Sequence, residues 1–167
     1  NPKVIFMVRD LRDIMASMEK KFRANPDIED GTQDNATLKG ITTQQRVEVW
    51  MKSHPVGYAL TKLQQSLLDK TADNFLFIRY EDLCTNPDEV ISGIYDYLNL
   101  DKYPHNYNFV EQVTEENDVL HGIYGDHTIR NKVQALPNDS REILGDSTYN
   151  WIYENNKGYF EIFKYSK

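Results

Sequence analysis

Cysteine is nearly absent from this 167-residue sequence, which holds only Cys84. One thiol can form neither an internal disulfide nor a cysteine-based metal cluster, and it fits a reducing compartment, so the chain is read as cytoplasmic. No apolar run approaches the roughly 20 residues of a membrane span, and no secretory leader is read at the start. The eight glycines are dispersed, and none builds GxGxxG or GxxxxGK[ST]. The histidines, His54, His105, His121 and His127, show no metal-ligand spacing. No Ser-His-Asp or Cys-His arrangement is recognisable, so no metal is expected and no catalytic residue is assigned. Basic charge is short as well: 19 Lys and Arg against 26 Asp and Glu give −7, which argues against general nucleic-acid binding. No internal repeat or low-complexity tract is present.

The stretch Val4 to Ser17, VIFMVRDLRDIMAS, organises what is there. Val4 to Val8 is a continuous apolar run rich in β-branched and aromatic types, which predicts a strand buried on both faces. From Leu11 the apolar period changes: Leu11, Ile14, Met15, Met18 and Phe22 lie on one helical stripe. Between them stand Arg9, Asp10, Arg12 and Asp13. Arg9 falls at the carboxyl end of the strand, where open α/β sheets place their ligands. Ser17 falls on the flank of the stripe. A core strand and helix with solvated charge between them account for this pattern; so does an anion site built from the Arg9 fork and the Ser17 hydroxyl. Residues 1–23 carry six Lys and Arg against three acids, leaving −10 for the remainder. A locally basic unit in an acidic chain suits a small anion better than a polymer, although Lys20, Lys21 and Arg23 read simply as a favourable helix C-terminus.

Further along, the first helix is expected to stop near Ala24, before Asn25-Pro26, followed by a polar loop over 25–40. Thr42 or Thr43 can cap a helix carrying Val47, Trp50 and Met51. His54-Pro55 interrupts the pattern, so either two helices or one kinked helix run on to about Lys70. Trp50 reads as core, and His54 as a surface or capping residue. Residues 74–80, NFLFIRY, predict a second buried strand. A strand, a long helical crossover and a second strand predict parallel pairing of the two strands. A helix over Asp88–Leu98 follows, with Asp82 read as a cap and Glu111–Asp118 as a solvated acidic face. Asp139–Tyr165 is expected to form one or two closing helices with aromatic packing.

Arg9-x-x-Arg12-Asp13-x-x-x-Ser17 after a hydrophobic strand resembles the 3′-phosphate motif of the sulfotransferases that use 3′-phosphoadenosine 5′-phosphosulfate (PAPS). FIRYEDL followed by NPDEVISGIYDYLNL is similar to the same family, as is a late basic segment, Arg130-Asn131-Lys132, within GDHTIRNK. The resemblance implies that Arg9 and Ser17 hold the nucleotide 3′-phosphate, that Tyr80 lies near the adenine, and that Arg130, Asn131 and Lys132 belong to a loop that closes on the same phosphate. That loop in the family is often Arg-Lys-Gly, and the Gly is missing here. The implied fold is α/β, a parallel sheet flanked by helices, like the P-loop nucleotide kinases. The family's phosphosulfate-gripping loop with its Lys, and its general-base His, are expected upstream of Asn1, so residues 1–167 are read as a single, incomplete sulfotransferase domain.

The expected activity is sulfuryl transfer from PAPS to a hydroxyl or amine, leaving adenosine 3′,5′-bisphosphate (PAP). The partner is a small-molecule nucleotide. Acceptor and oligomeric state cannot be read. Another P-loop-type nucleotide enzyme such as a kinase, and a non-catalytic α/β interaction module, remain as alternatives.

Overall fold

The computed structural model describes residues 2–24, 38–115 and 129–166. Its elements run β1 (Val4–Val8), α1 (Leu11–Ala24), α2 (Thr43–Lys52), α3 (Val56–Leu68), β2 (Phe75–Arg79), α4 (Tyr80–Thr85), α5 (Pro87–Leu98), α6 (Ser140–Leu144), α7 (Asp146–Asn155) and α8 (Lys157–Ile162). They fall into two compact units. The first contains β1 through Arg9, the chain from Lys62 to Glu115, and the described residues up to Pro137. The second contains the chain from Asp10 to Thr61 and the closing helices. Most of the predicted loop over 25–40, part of the acidic run, and His121 and His127 lie outside the described residues.

In the first unit β1 and β2 pair in parallel, in register from Val4 opposite Phe75 to Val8 opposite Arg79. Side chains alternate along a strand, so Phe6, Phe75 and Phe77 share one face. Their ring centroids lie 5.6–6.0 Å apart. The Tyr97 hydroxyl, from α5, accepts the Val4 N–H at 3.0 Å and donates to the Asn74 carbonyl, tying the starts of both strands together. The expectation of a strand buried on both faces needs correction. Ile5 is 38% and Met7 46% exposed, and in β1 only Val8 is buried. A continuous apolar run reports what a strand can bury; among the described residues the face that Ile5 and Met7 share is only partly covered.

β2 ends at Arg79, one residue earlier than predicted, and Tyr80 opens α4. Asp82 is not a cap. It sits in the first turn of α4, 4.0 Å from Arg79 Nε. α5 starts at Pro87, whose missing N–H costs nothing in a first turn, and stops at Asn99, which takes the left-handed conformation with φ 58°.

In the second unit α1 packs on α2, α6 and α7. Of the predicted stripe Leu11 and Met15 are buried and Ile14, Met18 and Phe22 half-buried; Arg12, Ala16 and Glu19 are buried as well. Glu19 has no exposure, and Arg46 reaches it from α2 with two bonds, Nε to Oε2 at 2.8 Å and Nη2 to Oε1 at 2.6 Å. Arg23 adds a bond at 2.8 Å and the Thr43 hydroxyl one at 3.1 Å. The Arg46 guanidinium also lies 4.5 Å from the Phe22 ring centroid. Burial alone pushes the Glu19 carboxyl up; the bonds from Arg46 and Arg23, the Arg46 charge and the Thr43 bond outweigh it and hold the group below the usual carboxylate range.

The α2 start is a capping box, with the Thr42 hydroxyl taking the Gln45 N–H and the Gln45 side chain taking the Thr42 N–H. Trp50 is buried, as expected of a core residue. Two helices, not one kinked helix, flank His54-Pro55. Gly57 lets them approach closely, since a Cβ there would lie 2.5 Å from the Lys52 carbonyl carbon. The closing segment forms three short helices rather than one or two. Gly145, at φ 77°, separates α6 from α7, and Asn156 separates α7 from α8. Leu144, Ile152, Phe160, Phe163 and Tyr165 from this segment fill the core.

Candidate nucleotide site

The strand register builds the site in the first unit. With Val8 opposite Arg79, the next residues in line, Arg9 and Tyr80, leave the carboxyl ends of neighbouring parallel strands side by side. The Arg9 guanidinium accordingly lies over the Tyr80 ring, 4.5 Å from its centroid, at stacking distance for a planar cation. Arg130, from a distant part of the sequence, is close enough for its charge to act on the Tyr80 hydroxyl. Burial pushes the Tyr80 phenol up, a hydrogen bond with Cys84 and the Cys84 charge push the same way, and Arg9 and Arg130 oppose them. The phenol is therefore a neutral ring at physiological pH, with the Arg9 guanidinium over it and the Arg130 charge acting on it from further off. Arg9 and Tyr80 are thus brought together, within reach of the Arg130 charge.

The late basic segment is tied down. Its residues pass the chain at Tyr107–Gln112 in the opposite direction. The Val110 N–H donates to the Asn131 carbonyl at 2.8 Å, and the Val133 N–H to the Tyr107 carbonyl at 2.8 Å. The Ile129 N–H donates to the Gln112 side-chain oxygen at 2.9 Å. Arg130, Asn131 and Lys132 are exposed along this run. The predicted loop that closes on its ligand is, in this structure, already held at three points.

Ser17 stands in the second unit, half-buried on α1. Its neighbours in the motif serve packing. Arg12 grips the Asp10 carboxylate through Nε and Nη2, donates from Nη2 to the Ser166 carbonyl at 2.8 Å, and lies between the Tyr149 and Phe160 rings at 4.6 and 4.8 Å. Burial lowers the Arg12 pKa and the Asp10 bond and charge more than restore it, so Arg12 stays charged. Asp13 accepts from the Ser140 hydroxyl. Of the motif's charged residues, Arg9 alone belongs to the first unit.

Two contributors were not read from the sequence. Cys84 was weighed only for redox chemistry, yet it lies four residues after Tyr80, and that spacing on a helix brings two side chains together. Gln112 carries no such local signal, because its partner Ile129 is 17 residues away. Among the described residues no group of three or more His, Cys, Asp or Glu could hold a metal ion, and no helix is long and apolar enough to cross a membrane.

No curated protein and no solved structure matches the chain. A family model described as a sulfotransferase domain matches residues 1–142, a span that takes in both strands, Arg9, Ser17, Tyr80 and the late basic segment. The α/β architecture, the parallel strand pair and this match agree, and the chain belongs to the sulfotransferase domain family.

Proposed function

We propose that this chain carries the 3′-phosphate and adenine half of a PAPS site and serves sulfuryl transfer from PAPS to a hydroxyl or amine. The observation that carries the reading is Arg9 stacked over Tyr80 at the carboxyl ends of the parallel strands, with the Arg130 charge acting on the same ring. Two positive charges acting on one neutral ring suit a phosphate next to a flat base. A dianionic 3′-phosphate accepts several directional, charge-assisted bonds, which the planar Arg fork supplies. The Tyr80 ring offers the adenine a face or an edge. Asn131 and Lys132 extend the donor set along the same segment. Ser17 is assigned to the same phosphate on its spacing from Arg9 alone.

In the reaction the acceptor oxygen or nitrogen forms a bond to sulfur as the bond from sulfur to the 5′-phosphate oxygen breaks. The electron pair leaves with PAP, and the acceptor proton passes to a base. The residues described here act on the other end of the nucleotide, anchoring it so that the sulfuryl group is presented in one orientation. The fold is read as of the P-loop nucleotide-kinase type. Competitive titration of the protein with PAP and ATP tests the assignment. Preference for PAP is expected; preference for ATP would point to a kinase, and binding of neither to an interaction module without nucleotide chemistry.

A further inference from the structure

Arg130 comes from an exposed segment, and such a segment positions a guanidinium poorly unless its backbone is held. Here it is held on both sides of the residue. The residue before Arg130 is held by the Ile129 N–H bond to the Gln112 side chain at 2.9 Å, and the residue after it by the Val110 N–H bond to the Asn131 carbonyl at 2.8 Å. The two runs pass each other antiparallel, bonded at Tyr107 with Val133, Val110 with Asn131 and Gln112 with Ile129. At the last of these a side-chain oxygen takes the place of a main-chain acceptor.

The supporting run is itself anchored. Tyr107 stacks on His105 with centroids 5.8 Å apart, His105 stacks on Tyr95 of α5 at 5.9 Å, and the Tyr95 hydroxyl lies 3.0 Å from His105 Nε2. A chain of contacts therefore leads from α5 through Tyr107 to Val133, in the segment that carries Arg130.

We propose that Gln112 is a positioning residue for the nucleotide site. It presets the Arg130 backbone so that the guanidinium meets the 3′-phosphate without ordering the segment first. This rests on the reading of Arg130 as a phosphate ligand. Holding a donor in its bound geometry before the ligand arrives raises affinity by removing an ordering cost. The sequence difference matters here: Gln112 supplies one of the restraints on a segment that lacks the family's Gly.

The test is a double-mutant cycle on PAP affinity with Gln112→Met, which keeps the length of the side chain and removes the acceptor, and Arg130→Ala. One neutral hydrogen bond corresponds to a roughly two- to tenfold loss, and Gln112→Met is expected to weaken PAP binding by that factor. Adenosine 5′-phosphosulfate, which lacks the 3′-phosphate, should bind both proteins alike, and in the Arg130→Ala background Gln112→Met should cost nothing further. A structural lesion would instead weaken both nucleotides and add to Arg130→Ala. If Arg130→Ala weakens PAP and Gln112→Met does not, the positioning role is wrong and the site reading stands. If Arg130→Ala leaves PAP binding intact, the site reading fails and the positioning role with it.

Discussion

Replacing Glu19 by Gln should unfold the second unit far more easily than a change of one atom suggests. The carboxylate has no exposure and receives two bonds from Arg46, at 2.6 and 2.8 Å, one from Arg23 and one from Thr43. Glutamine retains one acceptor oxygen, but its NH2 must then face an Arg46 N–H. The Arg46 side chain, only 10% exposed, keeps its charge without a counter-charge. Breaking one side of a buried pair costs about 3–5 kcal/mol. The exposed Arg23 contributes little of this, since half-exposed pairs are worth no more than about 1 kcal/mol. With a urea m-value of about 2 kcal/mol/M, the midpoint should fall by roughly 1.5–2.5 M. Urea unfolding followed by tryptophan fluorescence measures it, because Trp50 lies in the same unit, its ring 6.4 Å from Phe22. A midpoint shift below about 0.5 M would show that Arg46 and Glu19 are not the buried pair described. The double replacement Glu19→Met with Arg46→Met should recover much of the loss, because an apolar pair leaves no charge uncompensated.

The same carboxyl sets a pH dependence. Its folded pKa is depressed, so its stabilisation is present above the ordinary carboxylate value of about 4.3 and is lost as pH falls through the folded value; unfolding free energy measured from pH 7 down to 3 should fall more steeply in the native protein than in Glu19→Gln. Arg12→Lys loses the paired grip on Asp10 and the stacking between Tyr149 and Phe160, and calorimetry should find about 2 kcal/mol lost. Gly57→Ala drives a Cβ into the Lys52 and Met51 backbone, and chemical denaturation should register about 1–3 kcal/mol of destabilisation. Tyr80→Phe keeps the ring and removes only the Cys84 bond, so PAP affinity should change less than about threefold; Tyr80→Ala should weaken it about tenfold or more, since stacking on a base is worth roughly 1–3 kcal/mol.

Local pattern was enough for much of the fold. The change of apolar period at Leu11 marked the end of strand and turn and the start of α1, a threonine at 42 or 43 marked the start of α2, and the long helical crossover marked the strands as parallel. What escaped had non-local causes. Glu19 is charged and lies just before a basic run, so sequence places it on a solvated surface; only Arg46, 27 residues away, makes its burial tolerable. The break at Asn156 sits between Tyr153 and Tyr159, where the aromatic spacing reads as continuing helix, so the segment shows one helix more than its pattern suggests. Ile5 and Met7 look like core because composition cannot report what covers a face.

In the site, Arg9 and Tyr80 were legible because each follows an apolar run into a strand end, and the register between those strands then places them together. Arg130 was legible by charge and order along the chain. Gln112 was not, since a single neutral side chain bonded to a remote backbone N–H leaves no trace in composition or period.

The central claim, that Arg9 and Arg130 bind the 3′-phosphate of the nucleotide, is tested most directly by calorimetric titration of Arg9→Ala and Arg130→Ala with PAP and with adenosine 5′-phosphosulfate. A charge-assisted bond is worth roughly 1.5–3 kcal/mol, so each variant should bind PAP about ten- to a hundredfold more weakly. Ser17→Ala should lose less, and the nucleotide without the 3′-phosphate should respond little to any of the three. Equal weakening of both nucleotides by Arg9→Ala, or of neither, would contradict the assignment and leave Arg9 as a stacking partner of Tyr80 with no phosphate to hold.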